Sequence, residues 1–247
     1  LEGWIAGKDL PRTKCRAALV PHAGWVYSGR LATEVMARVE FPSTVVILCP
    51  KHRQEGAMRA VATWKNWSIP GGNVEADVEL GRELAKAVTG LELDDESHRA
   101  EHSIEVLLPV LAHFAPNARI VGITIGQTSL TECGILARGM ADVMRDRLDS
   151  TLLLISSDMH HFASEPENRR LDELALDAIE HLDPDRLFRS CMEHRITMCG
   201  MLPTVIVMKT LENLGVLQRA IRIGYTTSAE AYGDDRQVVG YAGLLFD

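Results

Sequence analysis

STVVILCPKH, residues 43–52, is a run of β-branched and apolar side chains that stops abruptly at Pro50, Lys51 and His52. A short apolar run bounded by turn residues has the pattern of a strand buried on both faces. RAALVP (16–21), RIVGITI (119–125) and STLLLIS (150–156) have the same character. Between them lie stretches of helical period: SGRLATEVMARV (28–39), VEADVELGRELAKAV (74–88), EHSIEVLLPVLAHF (101–114), LTECGILARGMADVMRDRL (130–148) and LDELALDAIEHL (171–182). The alternation of strand and helix predicts a layered α/β fold with a largely parallel sheet. MRAVATW and NWSIP read as a small hairpin excursion, and the tail from Ala220 offers two more strands, so the sheet is expected to end mixed. The longest loop-like stretch is SSDMHHFASEPENRR (156–170), long enough to suggest function.

At 247 residues and 46% hydrophobic the chain can bury a full core, and one domain spanning 1–247 is expected. Lys and Arg number 26 against 34 Asp and Glu, a net charge of -8 with no basic cluster, which argues against a nucleic-acid partner. No apolar stretch approaches the roughly 20 residues that span a bilayer, and LEGWIAGKDLPRTK lacks the charged-then-apolar order of a signal peptide, so no membrane association and a cytoplasmic location are expected. The five cysteines are odd in number and scattered, with no CxxC pair. Reduced thiols are the expectation, and a disulfide framework or zinc ribbon is not.

Several strands end in the same way. The first delivers His22, the second His52, and LLLIS runs into Asp158, His160 and His161. In an open α/β sheet the loops beyond the carboxyl ends of parallel strands converge on one crevice, where ligands bind. One strand-end histidine is ordinarily a packed or capping residue; three at equivalent positions point to a metal or to proton chemistry. Cys199, in TMCGMLP, precedes a helical run in which Pro203 suits the first turn and Gly200 permits a close backbone approach. A helix N-terminus favours thiolate and hence a nucleophile or metal ligand, although a free cysteine is more commonly a small buried hydrophobe. EHSIEVLLPVL would place Glu101, Glu105 and Leu108 on successive helical turns, with His102 facing Glu105 and Val106. Its acidic residues either satisfy the helix start or orient a nearby site. Trp25 and Tyr27 are candidates for stacking on a ring, with rim packing as the plainer reading.

PHAGWVYSG, PKHRQEGA, AEHSIEVLLPVL, SSDMHHF, TMCGMLP and QVVGYAGLLF, in this order and spread over nearly the whole chain, resemble the Memo family, known in prokaryotes as AmmeMemoRadiSam system protein B. The resemblance implies a three-layer α/β/α sandwich with a mostly parallel mixed sheet, similar to the LigB-type class III extradiol dioxygenases, whose non-haem iron lies at the strand ends. It also implies a pocket lined by His22, His52, Asp158, His161 and Cys199. Three departures stand out. The family's AGSWYP segment is not found ahead of LEGW, so no role of that segment is assigned. CPKH replaces GPSH, placing Lys51 beside the pocket with an expected effect on its charge, and SSDMHH replaces SSDFSH, adding His160.

Dioxygenases of this class hold Fe(II) with two histidines and a carboxylate. Here the position of the third ligand matches Cys199, so His22, His52 and Cys199 are the expected metal ligands. Fe(II) is the first choice, copper or zinc next, and Asp158 and His161 are placed as acid/base or supporting groups. Glu101, His102, His160, Trp25 and Tyr27 are expected around the pocket. Three functions remain open: a metal-dependent oxidoreductase acting on a small or peptide-bound aromatic, a non-catalytic peptide- or metal-binding protein, and a Cys/His hydrolase with Cys199 as nucleophile, His161 as base and Asp158 orienting it. The resemblance also implies a radical SAM protein and an AMMECR-type protein as partners.

Overall fold

The computed structural model describes residues 1–247 and contains eleven strands and ten α-helices. In chain order the strands are β1 (Ala17–Val20), β2 (Thr44–Pro50), β3 (Arg59–Val61), β4 (Asn66–Ile69), β5 (Gly72–Glu75), β6 (Glu92–Leu93), β7 (Arg119–Ile125), β8 (Thr151–Ser156), β9 (His161–Ala163), β10 (Ala220–Thr227) and β11 (Val238–Phe246). The helices are α1 (Glu2–Ile5), α2 (Arg30–Met36), α3 (Val78–Ala87), α4 (Glu96–Arg99), α5 (Leu108–Phe114), α6 (Leu130–Met144), α7 (Glu165–Glu180), α8 (Pro184–Glu193), α9 (Met201–Asn213) and α10 (Ala229–Tyr232).

The main sheet runs β10-β11-β1-β8-β2-β7-β3-β6. β1, β8, β2 and β7 are parallel, while β11 joins β1, and β3 joins β7, in antiparallel fashion. Alternate residues of the central strands feed two separate cores. Ala17, Leu19, Val46 and Leu48 pack under α3, α6, α7, α8 and α9, whereas Ala18, Val20, Val45 and Ile47 pack under α2 and α5. The chain is thus a three-layer α/β/α sandwich on a mixed sheet. The two-sided covering explains why these strands read as unbroken apolar runs rather than alternating ones. Each fully buried Leu or Ile here contributes about 1.5–3 kcal/mol.

Local chemistry sets the edges of the elements. Ser129 and Glu132 form a reciprocal capping box at the start of α6, and Asp77 and Asp183 cap α3 and α8. The hairpin is β4–β5, closed by Pro70 and Gly71. Gly71 has φ +86, the left-handed conformation that the second turn residue after proline requires. MRAVATW instead supplies β3 to the main sheet. The stretch 156–170 is shorter as a loop than expected, because β9 pairs with β11 and α7 begins at Glu165. Residues 101–107 are not the first turns of a helix: 103–107 form turns, and the helix starts only at Leu108. Glu101 accepts from the Ser103 N–H at 3.1 Å and from the Ser103 hydroxyl, local bonds that compete with a helical ladder.

No helix is long and apolar enough to cross a membrane. The five cysteines are free.

His98 is almost wholly buried, edge-on to Trp64 and Trp67, with Nε2 at 3.2 Å from the Ala60 carbonyl. Burial pushes its pKa down to about 4, so the ring stays neutral in the fold while the unfolded chain takes up a proton below its ordinary value of about 6.5. The contribution is therefore fully present above that value and is lost as pH falls toward 4. Urea denaturation at pH 7 and pH 4.5 should show an acid loss smaller in His98→Gln than in wild type by on the order of 2 kcal/mol. Equal losses would contradict a buried neutral His98.

Candidate metal centre

β1, β8 and β2 are neighbours in the sheet and end on the same side, so the residues that follow them meet. His22 comes from the end of β1 and is buried; His52 follows β2 and reaches the surface. Their rings are 5.5 Å apart, and His102, from the turn before α5, lies 5.0 Å from His52 and 5.6 Å from His22. One ligating atom from each of these rings lies within 4.8 Å of the other two. An ion held by nitrogen at about 2.1 Å needs those atoms roughly 3–3.5 Å apart, so a side-chain movement of under about 1.5 Å completes the set.

The ring tautomers are set by their neighbours. The Ser156 hydroxyl donates to the Ser103 carbonyl at 2.6 Å, so at 2.8 Å from His22 Nδ1 its oxygen is the acceptor and His22 carries its proton on Nδ1. Nε2 of His22 is then free as a ligand. Glu101 grips His52 twice, accepting from its backbone N–H at 2.6 Å and from Nδ1 at 2.9 Å, which leaves Nε2 of His52 free as well. The same carboxylate lies 3.5 Å from Nδ1 of His102. Burial alone would raise the Glu101 carboxyl, but hydrogen bonds from His52 and Ser103 hold it well below the usual range. Burial, and then the charges of His52 and His102, lower His22 to about 3, so it is neutral and able to ligate. A carboxylate behind a ligating imidazole is a common metal-site device, and these residues fit a metal ion.

Cys199, expected as a ligand, is not among the three residues whose ligand atoms all cluster, but its sulfur lies against one of them. Its Sγ is 3.4 Å from Nε2 of His22 and accepts the Asp158 N–H at 3.2 Å. Burial pushes the thiol above its ordinary value, opposing the lowering expected from the start of α9. His102, expected only around the pocket, takes the third place among the clustered ligand atoms. Its turn could have been found from Glu101 and Ser103, whose polar side chains flank it in sequence.

Asp158 is buried, and its Oδ1 accepts from the backbone N–H of both His22 (2.8 Å) and Ala23 (3.2 Å). Burial raises it to about 6. His161 lies on β9, with Nδ1 at 2.9 Å from the Thr197 carbonyl; it lines a pocket next to Asp158. Burial lowers its pKa. His160 is turned into the fold, its ring Nδ1 accepting the Thr197 N–H at 3.0 Å and its backbone N–H donating to the buried Asp172 at 2.7 Å. Trp25 and Tyr27 lie on a single π-helical turn, Trp25–Gly29. Trp25 Nε1 donates to the Val106 carbonyl at 3.0 Å, tying that turn to the loop that carries His102, while Tyr27 meets Tyr232 edge-on. The Lys51 ammonium is tied to the Glu55 carbonyl.

A parallel-centred α/β/α sandwich with imidazoles gathered beyond its strand ends defines the class of protein. The family described as Memo-like protein matches residues 1–245. A MEMO1 family protein of Aquifex aeolicus is 35% identical over 95% of this chain and 87% of its own length. Another, of Sulfolobus acidocaldarius, is 33% identical over 96% of this chain and 84% of its own. The chain belongs to the Memo family. In fold it also matches an uncharacterized protein of Escherichia coli K12, with a TM-score of 0.64 and 12% identity over 94% of this chain and 100% of the other.

Proposed function

We propose that this protein binds one d-block metal ion between His22, His52 and His102, iron(II) ahead of copper or zinc, and acts as an oxidoreductase on a small or peptide-borne group entering the adjacent pocket. The observation that carries this reading is the ring cluster with Glu101 and Ser156 fixing the outer nitrogens of His52 and His22. An all-imidazole set suits iron, copper and zinc, and the redox-active ions among these supply electron exchange to a bound substrate.

The chain's own residues divide the remaining work. The Thr197 carbonyl can only accept, so His161 carries its proton on Nδ1 and presents Nε2 as a base. Asp158, raised to about 6, is the neighbouring group that receives or returns a proton near neutral pH. Cys199, with its raised thiol and its sulfur against His22 rather than His161, is poorly placed as a hydrolytic nucleophile. A radical SAM protein and an AMMECR-type protein are the proposed partners, on the strength of the family resemblance, and free cysteines agree with a reducing, cytoplasmic setting.

Elemental analysis of purified protein loaded in turn with Fe(II), Cu and Zn tests the reading. Wild type should hold about one ion per chain, and His52→Ala and His102→Ala far less, while Cys199→Ser retains it. Equal metal content in His52→Ala and wild type, or retention in His102→Ala with loss in Cys199→Ser, would overturn the ligand set. A loaded protein that consumes no oxygen with any aromatic offered would overturn the oxidoreductase assignment and leave a metal-binding protein.

A further inference from the structure

Beside the histidine cluster opens a pocket of about 490 Å³ whose lining says more about its ligand than the reading above uses. Its wall carries four aromatic rings, Tyr27, Phe162, Tyr232 and Tyr241, together with Asp158 and His161, and no Lys or Arg lines it. Phe162 is 72% exposed and Tyr232 67%, both at the mouth. Phe162 also has φ +65, a backbone conformation that a bulky L-residue rarely adopts. Phe162 thus holds a large exposed ring at the mouth on a backbone conformation that carries an energetic cost.

Asp158 and His161 both present acceptors to the pocket, while Ser228, Gln237 and the tyrosine hydroxyls can donate as well. Both bonds received by Asp158 fall on Oδ1, from His22 and Ala23, and Oδ2 receives none from the protein. His161 spends its Nδ1 proton on the Thr197 carbonyl and leaves Nε2 as an acceptor. The pocket's other carboxylate, Asp234, is already paired with Arg236. The pocket therefore offers a carboxylate oxygen and an imidazole nitrogen in want of donors, ringed by π faces that attract cations.

We propose that the ligand of this pocket is an organic amine in its ammonium form, with N–H groups donating to Asp158 Oδ2 and an apolar or aromatic body packed among Phe162, Tyr232 and Tyr27. The proposal deepens the reading of the neighbouring centre as the working site and takes from it only the position of the pocket. It also selects against carboxylates and phosphates, which would meet Asp158 with no cation to receive them.

Three probes sharing one ring, phenethylamine, 2-phenylethanol and phenylacetate, separate charge from shape. Calorimetric titrations of the full chain, both EDTA-treated and metal-loaded, should give affinities in that order, with the amine about tenfold or more tighter than the acid. Phe162→Ala and Tyr232→Ala, both at exposed positions, should each weaken phenethylamine several-fold without altering metal content, and Asp158→Asn should erase the preference for amine over alcohol. Phenylacetate binding as tightly as the amine, unchanged amine affinity in both aromatic variants, or no amine binding at millimolar concentration would overturn the proposal. Metal content is read separately. Amine binding without metal would fault the centre alone, and metal without amine binding would fault this pocket alone.

Discussion

Glu101→Gln is expected to weaken metal binding by about 10–100-fold while the protein remains folded. Glu101 is buried and accepts from the His52 backbone N–H, the His52 ring and Ser103, and it lies 3.5 Å from His102. Glutamine keeps the volume but offers only one acceptor oxygen. Its NH₂ would face at least one N–H where a second acceptor is needed, so the grip on His52 loosens. Removing the charge also lowers the basicity of the imidazoles it supports. Because the Glu101 carboxyl is held well below the usual range, it is ionised throughout the pH span in which the histidines can ligate, and the loss should not depend on pH near neutrality. Competition against a chromophoric chelator measures the change, with circular dichroism confirming the fold. An affinity within twofold of wild type would mean that Glu101 does not support the ligands.

Gly200→Ala is expected to be severely destabilising, by about 3 kcal/mol or more. An added Cβ would lie 2.3 Å from Ser157 Cβ and 2.7 Å from the Ser156 carbonyl oxygen. The latter is backbone of β8 and its exit, which cannot swing aside as a side-chain tip can. The Gly200 N–H also donates to Ser157 Oγ at 3.0 Å, so the start of α9 is held directly against the strand end that leads to Asp158. Relief of the clash would carry Cys199 away from its 3.2 Å contact with the Asp158 N–H. Thermal and urea unfolding should both register the loss; a stability within about 1 kcal/mol of wild type would show that the turn has room the structure does not reveal.

Much of this architecture was legible in the chain because two-sided burial leaves a plain mark. β7 occupies the same residues as the apolar run RIVGITI, and β2 and β8 differ from theirs only at the ends. The convergence of His22 and His52 followed from strand ends alone. What was hidden depends on contacts distant in sequence. The EHSIE stretch has helical period, yet Glu101 is drawn off to His52, 49 residues away, and that pairing moves His102 into the cluster. For Cys199 two effects oppose each other, the helix start favouring thiolate and enclosure around the sulfur favouring the thiol, and a sequence does not show their balance. The helix α8 carries visible signals, the Asp183 cap, Pro184 in its first turn and an apolar face that buries Leu187 and Cys191, but it is short and mostly polar.

The most direct test of the account is diffraction from metal-loaded crystals collected on both sides of the metal absorption edge. The anomalous peak is expected within about 2.0–2.3 Å of Nε2 of His22 and of His52 and of one His102 nitrogen, with the Cys199 sulfur outside bonding distance. A peak bonded to that sulfur with His102 turned away, or one elsewhere in the molecule, would contradict the centre described here.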